Sequence, residues 1–312
     1  MRGWWRDLTD LVLPTDCAGC GAPRTTLCGR CRRALTGGVP RRVRPLPEPA
    51  GLPVVYASAP YAGSVRALLL AHKERGALTL TGTLGTAVAG AVRAGLGDPA
   101  GTGASASGTA STGRPVTGAP AGRATGAGAS GTVVLVPVPS ARWAVRARGH
   151  DPVRRMALAA AGELRRTGTP ARVAAVLRQR RPVADQAGLD ARRRRANLAG
   201  ALEVARGGDR LLAGGRVVLV DDLVTTGATL AEAARALREA YAPHPDGRSE
   251  VSNAVYGNTT REGREERGAG ARSEKGEWVH GAAKKTAVNA FERPLRAAVI
   301  AAPADSFEMN RN

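Results

Sequence analysis

The stretch that most constrains this chain is Arg216-Val-Val-Leu-Val-Asp-Asp-Leu-Val-Thr-Thr-Gly-Ala-Thr-Leu230. Val217 to Val220 is a short, mostly β-branched apolar run of the kind that forms a buried strand. Leu230 to Arg238 is Ala-rich with its apolar residues at helical spacing. Between them lie two acids, Asp221 and Asp222, and the small hydroxyl-rich turn Thr225-Thr226-Gly227-Ala228-Thr229. The acids and hydroxyls therefore stand where a strand hands over to a helix.

That placement has a chemistry. A helix N-terminus offers unpaired N–H groups and the positive end of the helix dipole, and so holds a phosphate. Gly227 and Ala228 let backbone come close to an anion, and Thr225, Thr226 and Thr229 add hydroxyl donors. Asp221 and Asp222 suit sugar hydroxyls or a hard cation such as Mg²⁺. A ribose 5-phosphate lying across the turn satisfies both ends.

The 13 residues from Val217 to Thr229 resemble, without a gap, the 5-phosphoribosyl 1-pyrophosphate (PRPP) motif of type I phosphoribosyltransferases: four apolar residues, two acids, two variable residues, then Thr-Thr-Gly-x-Thr. An ordinary strand–turn–helix is the alternative, but an acid pair at the end of a buried strand is costly unless it is used. A Walker A loop is excluded, since no Gly-Lys-Ser/Thr follows.

All four cysteines fall in Cys17-Ala-Gly-Cys20 and Cys28-Gly-Arg-Cys31. Two such pairs, seven residues apart, predict a tetrahedral Zn²⁺ site that is structural, because four thiolates leave no position for water. Disulfides are the competing reading, disfavoured in a reducing compartment. Arg24, Arg30, Arg32 and Arg33 surround the knuckles as a solvated basic face, or as phosphate contacts.

Net charge is +20 over 312 residues, and only four of the basic residues are Lys. The Arg, Ala and Gly bias is that of a GC-rich coding background, yet a positive field of this size favours polyanions. With 3% aromatics the core must be built of Ala, Val and Leu. No apolar run approaches the ~20 residues of a membrane span. Residues 1–14 lack a signal-peptide pattern, so the expected location is cytoplasmic.

Along the chain, Trp4, Trp5, Leu8, Leu11 and Val12 predict a short amphipathic helix, and the Pro- and Arg-rich residues 37–53 a linker between a zinc module (1–36) and the main domain (54–312). A strand is expected at 54–59, helices at about 61–72 and 77–96, a strand at 132–139 and a helix at about 151–167. Val173 to Leu177 is expected as one further strand, and Ala297 to Ala302 as a final strand closing the sheet beyond the second insertion. Residues 97–131 and 243–290 have the composition of disordered insertions. Lys73 near Gly76 can meet a phosphate or simply end a helix, and His72 is expected at the surface. Arg142, Arg146, Arg148 and Gly149 follow the strand at 132–139, where open α/β sheets bind ligands, and suit a pyrophosphate. Residues 178–198 are the densest basic stretch: a hood over pyrophosphate, a nucleic-acid surface, or a solvated helix face.

In this order the parts resemble the ComF family, a zinc-finger-like module fused to a phosphoribosyltransferase-like domain with a mostly parallel sheet flanked by helices. Val136-Pro-Val-Pro139 and Arg148-Gly149 match the family's pyrophosphate side, with His150-Asp151-Pro152 in place of Phe-Asn-Gln. In the hood pattern Gln186, Leu189, Arg194 and Asn197 match, Val183 replaces a Thr, and Lys-Tyr-x-Gly becomes Lys73-Glu-Arg-Gly76. The resemblance implies a PRPP-type ligand with Mg²⁺ and, for some members, a cytoplasmic role in DNA uptake beside competence proteins. Two functions follow as expectations: phosphoribosyl transfer to an acceptor, or non-catalytic binding of PRPP or a nucleotide and of single-stranded DNA. Gene repression is a weaker third, without a helix-turn-helix signal.

Overall fold

The computed structural model describes residues 16–97, 131–181, 191–241 and 295–307. The helix expected over 4–13, Gln186, the side chain of Arg194 and, apart from Gly97 and Gly131, both expected insertions lie outside them.

Strands β1 (Arg41–Val43), β2 (Val54–Pro60), β3 (Val133–Pro137), β4 (Ala171–Val173), β7 (Arg216–Leu223) and β8 (Arg296–Ala302) form one sheet in the order β1-β2-β8-β7-β3-β4. Every neighbouring pair is parallel except β1–β2. A separate antiparallel ribbon joins β5 (Leu177–Gln179) to β6 (Leu202–Val204). The helices are α1 (Gly29–Thr36), α2 (Gly63–Glu74), α3 (Thr81–Gly97), α4 (Arg142–Arg148), α5 (Pro152–Arg166), α6 (Ala191–Leu198), α7 (Gly208–Leu212) and α8 (Ala228–Tyr241).

Strand residues alternate between two cores, as the pleat requires. Tyr56, Val133, Leu135, Val218, Val220, Ala298 and Ile300 join α2, α3 and α5 on the first face. Val55, Ala57, Val134, Val136, Leu219, Ala297 and Val299 join α8 and the ribbon on the second. Both faces are covered, which is why the parallel strands read as continuous apolar runs. With few aromatics, the first core closes by near approach: a Cβ on Gly85 would lie 2.4 Å from the Ala159 side chain, so α3 and α5 meet almost backbone to backbone.

Three sequence expectations are refined or corrected. First, the final strand, β8, closes the sheet from within, between β7 and β2, with β1 beyond. Second, Val173 to Leu177 is not one strand. The chain leaves the main sheet after Val173 and enters the ribbon at Leu177, because the apolar run is buried against two different partners. Third, residues 37–53 are not a bare tether. They contribute β1, and Leu52 and Pro45 pack under Gly227, whose Cβ position lies 2.9 Å from Leu52 Cδ1. The cysteine segment is likewise continuous with the first core, through Cys17, Leu27, Cys31 and Leu35.

From β3 the chain winds outward to β4, and from β7 it winds the opposite way to β8. The crevice between the carboxyl ends of β3 and β7 is the switch point at which doubly wound sheets take their ligands.

Candidate functional site

At the end of β7, Val218 and Val220 face the first core and Leu219 the second. Asp221 and Asp222 follow them, both buried. Asp222 Oδ2 meets Lys73 Nζ at 3.0 Å. That contact holds the Lys73 pKa above its usual value, although burial works against it. Asp221 Oδ1 accepts from the Asp222 N–H at 2.9 Å. Burial, reinforced by the neighbouring Asp222 charge, raises the Asp221 carboxyl well above the ordinary carboxylate range despite Lys73.

Beyond the acids the chain turns at Gly227, φ +73°, a conformation that favours glycine. Helix α8 starts at Ala228, whose N–H donates to Thr226 Oγ1 at 3.5 Å. Thr225 is exposed, and Thr226 and Thr229 are half-buried. Hydroxyls and helix N–H groups thus gather at one strand end with the acids, as the sequence pattern predicts.

The β3 side supplies α4, ended by Gly149 at φ +73° with its N–H donating to the Val145 carbonyl at 2.8 Å. Arg148 Nη1 lies 3.3 Å from Glu74 Oε1, while its buried Nε has no hydrogen-bond partner among the described residues. Arg146 is exposed on the same helix. Adjacent residues at the end of α2 therefore touch both halves of the crevice: Lys73 holds the acid side and Glu74 the arginine side. The sequence singled out Lys73 but gave no sign of Glu74.

His72, expected at the surface, is buried at 1% exposure. It stands one helical turn after Leu68 and faces the same core, a spacing the pattern already contained. Its ring lies 6.2 Å from that of His150 and at 73° to it, and its Nε2 pairs with Thr81 Oγ1 at 3.1 Å. Burial first, then His150 and Arg155, lower its pKa to about 4 against the opposing pull of Asp222. His150 shares an Nδ1 hydrogen bond of 3.0 Å with the Arg148 carbonyl and thereby fixes the turn after α4.

Of the hood residues, Asn197 is described, and its carbonyl accepts from Arg181 Nη2 at 2.9 Å. The Ala199 carbonyl accepts from the same atom at 2.8 Å, so the base of the segment is tied together.

Cys17, Cys20, Cys28 and Cys31 bring their four sulfurs within 4.8 Å of one another. Cys20 and Cys28 Sγ are 3.6 Å apart, far outside disulfide bonding. A tetrahedron with Zn–S of about 2.3 Å has edges of roughly 3.8 Å, so the donor set fits zinc. Backbone N–H groups also point at the sulfurs, from Cys28 to Cys17 at 3.3 Å and from Cys31 to Cys28 at 3.5 Å. Burial tends to raise Cys17, but the N–H groups of Cys28, Gly19 and Cys20 bring it down to about 6. Burial and its sulfur neighbours push Cys31 up to about 12. A bound divalent cation removes that conflict by allowing all four sulfurs to be thiolates.

The family model of the phosphoribosyl transferase domain matches residues 187–255. Its described portion runs from α6 through β6, α7 and β7 to α8, and so contains the acids and the Thr-rich turn. The chain carries a phosphoribosyltransferase-like domain. No curated protein matches the sequence. The sheet order, the switch-point crevice and the cysteine cluster agree with a phosphoribosyltransferase-like fold carrying an N-terminal zinc-type module. No described helix is long and apolar enough to cross a membrane.

Proposed function

We propose that this is a ComF-like protein whose phosphoribosyltransferase-like domain binds PRPP with Mg²⁺ and transfers the phosphoribosyl group to an acceptor. The observation that carries the reading is the convergence of Asp222, Lys73, Glu74 and Arg148 at the switch point, beside the Thr225–Thr229 turn. In it the N–H groups and hydroxyls of Thr225, Thr226, Gly227, Ala228 and Thr229 take the 5-phosphate. Asp222, and Asp221 once charged, accept hydrogen bonds from the ribose hydroxyls. Arg146, Arg148 and the Gly149 turn face the pyrophosphate, whose charge draws Arg148 away from Glu74. Gln186, Arg194 and Asn197 belong to the hood.

Two carboxylates at one strand end, one already neutralised by an ammonium, suit a hard cation that completes its shell with substrate oxygens and water. Bound there, Mg²⁺ would offset the charge of pyrophosphate. In the transfer the C1–O bond breaks with its electron pair leaving on pyrophosphate, and a lone pair of the acceptor forms the new bond at C1. The arginines stabilise the leaving group, and the ribose passes through an oxocarbenium-like state. The cytoplasm suits both a PRPP ligand and reduced thiols.

Calorimetric titration with PRPP and Mg²⁺ tests this. Binding is expected for the intact protein and is lost in Asp221→Asn/Asp222→Asn. An intact protein that binds nothing refutes the reading.

A second reading, single-stranded DNA binding without catalysis in DNA uptake, is favoured by one feature. Trp143 is 60% exposed on α4, with Arg142 and Arg146 within one turn of it, the pairing of a base platform with phosphate contacts. It predicts oligonucleotide affinity that falls steeply with salt and about tenfold in Trp143→Ala. Affinity indifferent to both would dismiss it.

A further inference from the structure

The β5–β6 ribbon has three residues in each strand and, among the described residues, no third strand, too little to hold a fixed position by itself. Its outer edge is nevertheless occupied. The Leu202 N–H donates to Glu232 Oε1 at 3.0 Å, and the Leu202 carbonyl accepts from Arg235 Nη2 at 2.9 Å. Glu232 and Arg235 are themselves joined twice, from Nε to Oε2 and from Nη2 to Oε1, each at 2.9 Å. Both backbone groups of Leu202 thus find partners in one ion pair, as they would in a neighbouring strand.

Glu232 is 6% exposed. Burial alone would raise its pKa, but Arg235 and the N–H groups of Leu202 and Gly200 outweigh it, so the carboxylate stays charged. A buried ion pair is a poor source of stability compared with apolar packing, and its best-attested use is to fix a register. Here the register fixed is that of the ribbon on α8, the helix that begins at the Thr-rich turn. Glu232 is three residues beyond Thr229, about 4.5 Å along the axis. On its other side the ribbon touches α4, where Arg142 Nη2 donates to the Gln179 carbonyl at 3.3 Å. The segment that the ribbon closes carries Arg180, Arg181 and Arg193.

We infer that Glu232, with Arg235, is a positioning residue: it docks the ribbon that carries Arg180, Arg181 and Arg193 at its end onto the helix that would hold the 5-phosphate, and so sets where those guanidinium groups stand relative to the pyrophosphate of the same ligand. The inference rests on the phosphoribosyl reading for its ligand and on the geometry alone for the docking.

Two measurements on the full chain test the two parts separately. In hydrogen exchange of the ligand-free protein, Glu232→Ala speeds exchange at amides 200–204 at least about tenfold and leaves 217–222 in β7 unchanged. Glu232→Gln, which keeps an oxygen for the Leu202 N–H and loses the ion pair, gives a smaller change and guards against failure of the alanine variant to fold. Equal acceleration throughout the sheet, or none at Leu202, overturns the docking. In calorimetry with Mg²⁺, Glu232→Ala weakens PRPP about tenfold and leaves ribose 5-phosphate, which lacks the pyrophosphate, unchanged. Equal loss for both ligands marks a merely structural residue and overturns the positioning role, as does no loss for either. Wild-type protein that binds neither ligand overturns the phosphoribosyl reading and the ligand half of the inference, while the exchange pattern still decides the docking.

Discussion

Asp221 is held in a state that suits a ligand better than it suits the empty fold. Its carboxyl is buried, raised well above the ordinary carboxylate range by that burial and by the Asp222 charge, and accepts from the next residue's N–H. Between the ordinary range and that raised value, the folded chain keeps a proton that the unfolded chain has released. Stability therefore falls as pH rises through this window. Asp221→Asn should flatten that dependence and raise the melting temperature near neutral pH by about 2–4 °C, while ribose-phosphate binding is lost. Thermal melts across pH check it, and a variant that melts lower with an unchanged slope would contradict the account. His72 has the opposite sign. Its folded pKa of about 4 lies below the ordinary 6.5, so the unfolded chain takes up the proton first and stability falls as pH drops between those values. The loss approaches about 3 kcal/mol at the acid end. His72→Gln, which can still meet Thr81, should lose distinctly less over the same interval in denaturant melts.

At the scale of elements, the cysteine knuckles act as a wedge under α2 and α3. Cys31 and Leu35 on α1 are fully buried in the core that contains Leu68 and Leu84. A Cβ on Gly19 would come within 2.9 Å of Cys31 Sγ, so the first knuckle lies flat against the second. Stripping the metal should for that reason disturb more than the first 36 residues: a chelator that removes one zinc per chain lowers the melting temperature by on the order of 5–10 °C. An unchanged melt after verified zinc loss would make the knuckles an ornament on an independent fold. The Lys73–Asp222 and Glu74–Arg148 contacts belong to this scale too, since one helix end reaches both sides of the crevice. On the proposed phosphoribosyl reading, Lys73→Ala should leave the fold intact and change Mg²⁺-dependent PRPP affinity, because the ammonium and a divalent ion would compete for the Asp222 carboxylate. Calorimetry at several Mg²⁺ concentrations reads that competition, and identical curves for the two proteins would count against it.

Over the whole molecule, what the sequence made legible was local. The strand–turn–helix around Asp221, the cysteine spacing and the strand at 133–137 each depend on neighbours in the chain, and each stands where the pattern predicts. Partners distant in sequence were not legible. Nothing in Ala297–Ala302 says that its place is between β7 and β2, and nothing in Val173–Leu177 says that the run divides between two sheets. The late position of β8 also governs how the chain is made. During synthesis the acid-bearing strand β7 emerges long before its second neighbour, and one edge of it has no partner until residues 296–302 leave the ribosome. A nascent chain at that stage has both ligand-side strands and an unpaired edge on β7 beside its own candidate site, and a chain truncated just before β8 leaves that edge open to other molecules.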